Sequence, residues 1–400
     1  MIGYSFSMNE IKRHSVPAIV RKLVETPSVF QVITGPRQVG KTTASRQIAA
    51  ELDYPSIYAT ADYMVSDADS WLSSQWQRAE MECAKNNSPV LLILDEVQKL
   101  PNWSEAIKYF WDGRKADIRL LLLGSSALLL QKGLTESLAG RFFLHRFSHW
   151  DWAETQEAFG WSLEDWFFFG GYPGAARFVD NEDDWKQYVR DALVESTISR
   201  DVLQMQPINK PALLRNLFGL AAAFPAQLFS YNKMLGQLND AGNTTTLAHY
   251  LTLLDRAYLV SGLELFSKGH VKKRGSSPKL VLWNNALING LCMKSREKAM
   301  QDSTWRGRLI ENAVGAHLLN YLVGTNSVVT YWRRGPHEVD YVLSNGESIC
   351  ALEVKSGRPG YQQGLSAFRR EYPDAKAVVV GPSGIPFEVF FKTDPIEWLK

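Results

Sequence analysis

The segment FQVIT at 30–34 runs directly into GPRQVGKTT at 35–43, and the helical stretch KTTASRQIAAEL continues from Lys41. A buried strand, a glycine-bounded loop and a helix start, in that order, is the context in which GxxxxGK[ST] binds phosphate. Gly35 and Gly40 let the backbone curl so that successive N–H groups face an anion. The helix N-terminus adds its dipole behind that anion. The expected nucleotide contacts are therefore Gly35, Pro36, Arg37, Gln38, Val39, Gly40, Lys41, Thr42 and Thr43. Lys41 reaches toward the β and γ phosphates, and the Thr42 hydroxyl is placed for Mg²⁺. ATP with Mg²⁺ is the cofactor pair that this pattern implies.

A second apolar run, VLLIL at 90–94, ends in Asp95-Glu96. Asp95 at that strand end is expected to position Mg²⁺, and Glu96 to polarise an attacking water. Five strands can be laid out at 30–34, 56–60, 90–95, 118–125 and 142–147, with helical patterns between them. That alternation predicts a mostly parallel α/β sheet covered by helices on both faces.

GPRQVGKTT, LLILDEVQKLPNW and SLAGRFFLHRF together resemble a large prokaryotic group of AAA+ ATPases that carry a C-terminal domain of long-unassigned function. DEVQKLPNW is the most distinctive block, and the likeness continues through GGYP at 170–173 and SRDVL at 199–203. One departure is ATADY at 59–63, where relatives show a more acidic stretch; it bears on Asp62. The resemblance implies that Ser125 or Ser126, ending the strand IRLLLLGSS, senses the γ-phosphate. It also implies that Arg141 acts as an arginine finger on a neighbouring subunit's ATP. A homo-oligomer follows, a hexameric ring being one such arrangement.

Three domains are expected: an AAA+ ATPase domain at 1–150, a helical connector and winged-helix region at 151–265, and a basic hairpin with a nuclease-like domain at 266–400. In the middle region three short helices, PALLRNLFGLAAAF, SYNKMLGQLN and TTLAHYLTLLDRA, precede the strands YLVSGLELF and KLVLW. Ser230 and the Asn243–Thr246 cluster are candidate caps. Helix, turn, helix, hairpin is the winged-helix order. Residues 266–310 hold ten Lys or Arg against two acids, Glu297 and Asp302. That local excess, on a chain of net charge +2, points to a polyanion surface and to DNA as a partner. The third helix is not basic, so sequence-specific groove reading is not expected, and winged helices also serve in subunit packing. Asn284 and Asn285 stand where relatives carry an acid.

From 305 the order is helix, three strands, helix, strand, and it resembles the PD-(D/E)xK nuclease core. Glu311 lies on the first helix, Asp340 in the second strand, and Glu353 with Lys355 forms ExK in the third. A tight turn at Asn345-Gly346 would pair Ser344 with Glu347, and so Glu338 with Glu353. Asp340 then lies diagonal to Glu353 on the same face. Asp340 and Glu353 become candidate Mg²⁺ ligands, and Lys355 the group that orients or deprotonates a water. Arg333 is placed to hold a phosphate.

The three cysteines, Cys83, Cys292 and Cys350, share no close spacing. They suggest no disulfide framework and fit a reducing cytoplasm. The N-terminal MIGYSFSMNEIKRH lacks an apolar h-region, and no span long enough for a membrane is expected. The leading expectation is an ATP-dependent enzyme acting on DNA, branched DNA included, with a nuclease-like domain that binds or cuts it. The alternative is an ATP-dependent switch that binds a protein partner, with the nuclease-like domain inert.

Overall fold

The computed structural model describes residues 11–62, 67–124, 137–203, 208–238, 242–267, 276–357 and 363–400. Ser125, Ser126, Lys268, Lys272, Lys273 and Arg274 lie outside the described residues. The chain divides into two compact units, Met1–Phe147 and Ser148–Lys400.

In the first unit, β1 (Phe30–Thr34), β2 (Ser56–Thr60), β3 (Val90–Asp95), β4 (Ile118–Gly124) and β5 (Phe142–Arg146) form one sheet. Its order is β2-β3-β4-β1-β5 and every pair is parallel. β1 and β3 are buried at every position, as central parallel strands with both faces covered must be. The strand period of two divides their side chains between two cores. Val32, Leu92, Leu94 and Leu122 share one with α3 (Ala68–Asn86) and α4 (Trp103–Gly113). Ile33, Leu91, Ile93 and Leu121 share the other with α1 (Val16–Glu25) and α2 (Lys41–Glu51). Because all strands run the same way, the segments that follow β1 and β3 emerge at one edge, where such sheets hold ligands.

In the second unit, the helices Trp152–Phe159 and Leu163–Phe169 each begin with a capping box, Asp151 with Glu154 and Ser162 with Asp165. Helix Pro211–Ala223 is followed by β6 (Gln227–Leu228), helix Tyr231–Gln237 capped by Ser230, and helix Thr244–Arg256 capped by Asn243. β7 (Val260–Leu263) and β8 (Lys279–Leu282) complete a sheet of order β6-β8-β7. Helix Ser303–Leu322 then leads to β9 (Val328–Arg334), β10 (His337–Ser344), β11 (Ile349–Val354), helix Gln363–Glu371 and β12 (Lys376–Val380). This sheet has the order β12-β11-β10-β9, with only β11 and β12 parallel.

The boundary expected between 265 and 266 falls inside this unit. β7 pairs with β8 across it, and Phe266 donates its N–H to the Tyr331 carbonyl at 2.6 Å. One core holds Trp166, Phe167, Val281, Ile310, Tyr341 and Phe391 together. Asn285 donates to the carbonyls of Phe167 and Leu309, and accepts from Asn312. A buried amide thus ties three segments together. No helix among the described residues is long and apolar enough to cross a membrane.

His317 is 3% exposed, in ring contact with Tyr321, Phe390 and Phe391. Burial pulls its pKa down to about 4, against about 6.5 in an unfolded chain. Between those values the unfolded state binds the extra proton. The stability held by this histidine is complete above pH 6.5 and is lost as pH falls toward 4. His317→Phe is therefore expected to flatten the acid fall of the thermal midpoint across that window. Melts at stepped pH check this; an unaltered slope would place the acid sensitivity elsewhere.

Candidate functional site

The loop between β1 and α2 is shaped by backbone that most residues avoid. Gln38 and Gly40 have φ of +59° and +91°, and Gly40 precedes α2 with no side-chain cap on the helix N-terminus. A helix start without a side-chain cap leaves its N–H groups for an anion. Lys41, only 8% exposed, donates to the carbonyls of Gly35 at 2.9 Å and Pro36 at 2.6 Å. Its ammonium thus lies folded over the loop that it is expected to serve.

Across the sheet edge, the Thr42 hydroxyl donates to Asp95 Oδ2 at 3.0 Å. These residues are far apart in sequence and meet because α2 starts beside the end of β3. Two hard oxygen donors side by side are the chemistry Mg²⁺ takes, so the residues present fit that ion. Glu96 follows with φ +55° and donates its N–H to the Leu123 carbonyl at 3.0 Å. Its Oε2 accepts from Gln98 at 2.6 Å and lies 3.8 Å from Lys99. Burial raises its pKa above the ordinary carboxylate range, and Lys99 and Lys41 oppose that rise. Lys99 also pairs with Asp62, so Asp62 reaches the site through that lysine.

Two contributors escaped sequence reading. Tyr58 of β2 donates its hydroxyl to Asp95 Oδ2 at 2.7 Å, the oxygen that Thr42 also uses. Arg13 donates to the Val39 carbonyl at 3.0 Å and lies 5.2 Å from the centre of the Phe147 ring. Tyr58 was legible in principle: β2 pairs Thr60 with Asp95, so a tyrosine two residues earlier shares that face. Nothing local marks Arg13.

Arg141 stands apart from this cluster. Its side chain makes a bidentate pair with Asp112, at 2.8 Å for both contacts. Its carbonyl accepts from Phe30 at 2.9 Å, at the start of β1, whereas the loop follows the far end of that strand. The separation is about 13 Å along the strand, beyond the reach of an arginine to its own chain's loop.

In the second unit, Glu311, Glu338, Asp340 and Glu353 do converge, but through a different register. Tyr341 pairs with Leu352 and Ser344 with Ile349, which brings Asp340 opposite Glu353. The expected pairing of Glu338 with Glu353 is thus corrected by two residues. The reason is the turn: the Asn345 side chain accepts from the N–H groups of Glu347 and Ser348, and Asn345 N–H donates to Ser348 O. Four residues turn the chain where two were expected. A shift of two leaves every side chain on its face, so the convergence survives. A register irregularity between Val339 and Val342 in the pairing with β9 accompanies Asp340 Oδ2 accepting from Val354 N–H at 2.7 Å. Glu353 Oε1 accepts from Lys355 at 2.6 Å.

The residue at the middle of these carboxylates is Lys279 of β8, fully buried. Its Nζ lies 2.5 Å from Glu311, 3.5 Å from Asp340 Oδ1 and 4.0 Å from Glu338. Sequence reading had counted it as surface charge. Of the six described cations of the 266–310 stretch, Lys279, Lys294, Arg296 and Arg306 all pair with carboxylates, the last three with Asp302, Asp165 and Glu164. Three of these cations, Lys279, Arg296 and Arg306, thus pair with acids outside the stretch, and Lys294 pairs with Asp302 inside it.

A family model described as an AAA domain matches residues 28–156. Two models of domains of unknown function, DUF8612 and DUF4143, match 160–298 and 306–393. Among curated proteins, uncharacterized proteins of Mycobacterium bovis and of Mycobacterium tuberculosis are each 27% identical over 382 residues. Each alignment spans 93% of this chain and 80% of the relative. Fold, loop and family likeness together make the first unit an AAA-like, nucleotide-binding ATPase domain.

Proposed function

We propose that this protein hydrolyses ATP to remodel or process DNA, with the second unit supplying the DNA grip. The observation that carries the ATPase part is the Thr42–Asp95 contact with Glu96 beside it. When nucleotide enters, Lys41 leaves the Gly35 and Pro36 carbonyls for the phosphates, and the N–H groups at the start of α2, which has no side-chain cap, receive the anion. Thr42 and Asp95 would hold Mg²⁺, which when bound neutralises phosphate charge. Glu96, with its raised pKa, takes the proton of the attacking water. Arg141 serves a neighbouring copy's nucleotide, releasing Asp112 to do so, and this requires a homo-oligomer.

The DNA part is supported by the element order of the second unit and by an open cleft of about 2060 Å³. The helix Thr244–Arg256 takes the place of the third helix of a winged helix, followed by the β7–β8 hairpin. The cleft is lined by its Thr244, Thr245 and Thr252 and by Arg333 and Arg334 of β9, beside the carboxylates of Asp255, Glu264 and Glu371. Hydroxyls and an arginine facing one groove suit a phosphate backbone.

A second reading, a nucleotide-driven switch for a protein partner, is favoured by the pairing of those four cations with internal carboxylates. Measuring ATP turnover at low salt with single-stranded, duplex and four-way DNA decides between them. Stimulation that Arg333→Ala weakens is expected. Absence of both DNA binding and stimulation, with nucleotide-dependent capture of a partner, would leave the switch.

A further inference from the structure

The resemblance of the second unit to a PD-(D/E)xK core implies Mg²⁺ among Asp340, Glu353 and their neighbours, and the residues present do not fit that ion. Four of the oxygens that would face a metal have a named competitor. Asp340 Oδ1 lies 3.5 Å from Lys279, whose Nζ also donates to the Asp340 carbonyl at 3.1 Å. Asp340 Oδ2 holds the Val354 N–H, Glu311 Oε1 holds Lys279 at 2.5 Å, and Glu353 Oε1 holds Lys355. Glu353 Oε2 remains, buried and without a hydrogen-bond partner. It is closed in by helix Gln363–Glu371: a Cβ on Gly364 would lie 1.8 Å from the Glu338 carbonyl oxygen and 3.4 Å from that same Oε2. No group of three metal-binding side chains forms among the described residues.

We propose that Lys279 is the resident cation of this cluster, holding the place of the divalent ion and pinning β8 to helix Ser303–Leu322 and β10. An ammonium on a β-hairpin suits that task. It brings its charge with the fold, needs no supply, and sits 4.8 Å from the centre of the Tyr341 ring, whose face attracts a cation. Burial raises the pKa of Glu311, Glu338 and Glu353, and Lys279 opposes that rise in all three. The consequence is that the second unit holds its ligand without metal-dependent cleavage. This inference stands apart from the DNA reading, since the cluster is closed to a metal whatever fills the cleft.

The test is Mn²⁺ titration of nucleotide-free, full-length protein, with free ion followed by electron paramagnetic resonance. An Asp95→Asn background removes the contribution of the ATPase site. No bound ion is expected, with or without Asp340→Asn. One stoichiometric ion that Asp340→Asn abolishes would overturn the proposal, and this comparison leaves Lys279 in place. Lys279→Met is expected to lower the thermal midpoint because it strands buried carboxylates. Adding Glu311→Gln should restore part of that loss, since the orphaned charge goes with it. A double variant no more stable than Lys279→Met would also overturn it.

Discussion

Glu96→Gln is expected to lower ATP turnover by about 10²–10⁴-fold while nucleotide binding survives. The side chain stands one residue beyond Asp95, and its positive φ turns it out of the strand direction into the edge where the loop lies. Gln98 and Lys99 then fix the carboxylate. Glutamine keeps the shape and most of the polar contacts but cannot accept a proton, so the loss should fall on kcat and not on KM. Because burial raises the Glu96 pKa, the acid limb of the native kcat profile should lie above the ordinary carboxylate range, and the variant should lack that limb. Single-turnover hydrolysis beside equilibrium binding of ATP checks both. Equal losses in affinity and turnover would make Glu96 a structural cap of the turn that follows β3.

The same region shows what the sequence makes legible. The three central strands of the first sheet, β1, β3 and β4, are readable from their apolar runs, because a buried parallel strand has little freedom in composition, whereas the edge strands β2 and β5 are only partly buried. Lys41, Thr42, Asp95 and Glu96 could be read together because strand ends in a parallel sheet share an edge. What was not legible depended on partners distant in sequence. Asp112 and Arg141 form a pair that no spacing rule connects. Lys279 looked like one charge among ten, and only β8 pairing between β6 and β7 turns it inward to meet Glu311. Arg296 and Arg306 meet acids of the helix Leu163–Phe169, more than a hundred residues earlier. Charge counted along a window measures a surface only when the window is itself a surface. The register error in the β10–β11 hairpin has the same origin on a smaller scale. Asn345 and Gly346 read as a two-residue turn, but the Asn345 side chain captured two further N–H groups.

Gly35→Ala should cost about 3 kcal/mol or more of stability, well beyond what Gly40→Ala costs. A Cβ at Gly35 would lie 1.9 Å from the Phe147 carbonyl oxygen, whereas one at Gly40 would meet nothing within 4 Å. Gly40→Ala therefore suffers only from its backbone angle, about 1–2 kcal/mol for a side chain held in the left-handed region. At Gly35 the obstacle is backbone. Phe147 N–H donates to the Thr34 carbonyl at 2.8 Å, extending the β1–β5 ladder past its last strand residue. The Phe147 ring is 1% exposed, packed in the core under α1 and α2. Relieving the clash means breaking that bond or moving the ring, and the ring carries Arg13, which in turn holds the Val39 carbonyl. The damage thus spreads from the first glycine of the loop to its middle. Thermal unfolding of the two variants, read beside ATP binding, separates the effects. Both should bind nucleotide poorly, and Gly35→Ala alone should melt much earlier. Equal midpoints would mean that the close approach of Phe147 to the loop is dispensable, and that Gly35 is required only for the path of the backbone around phosphate.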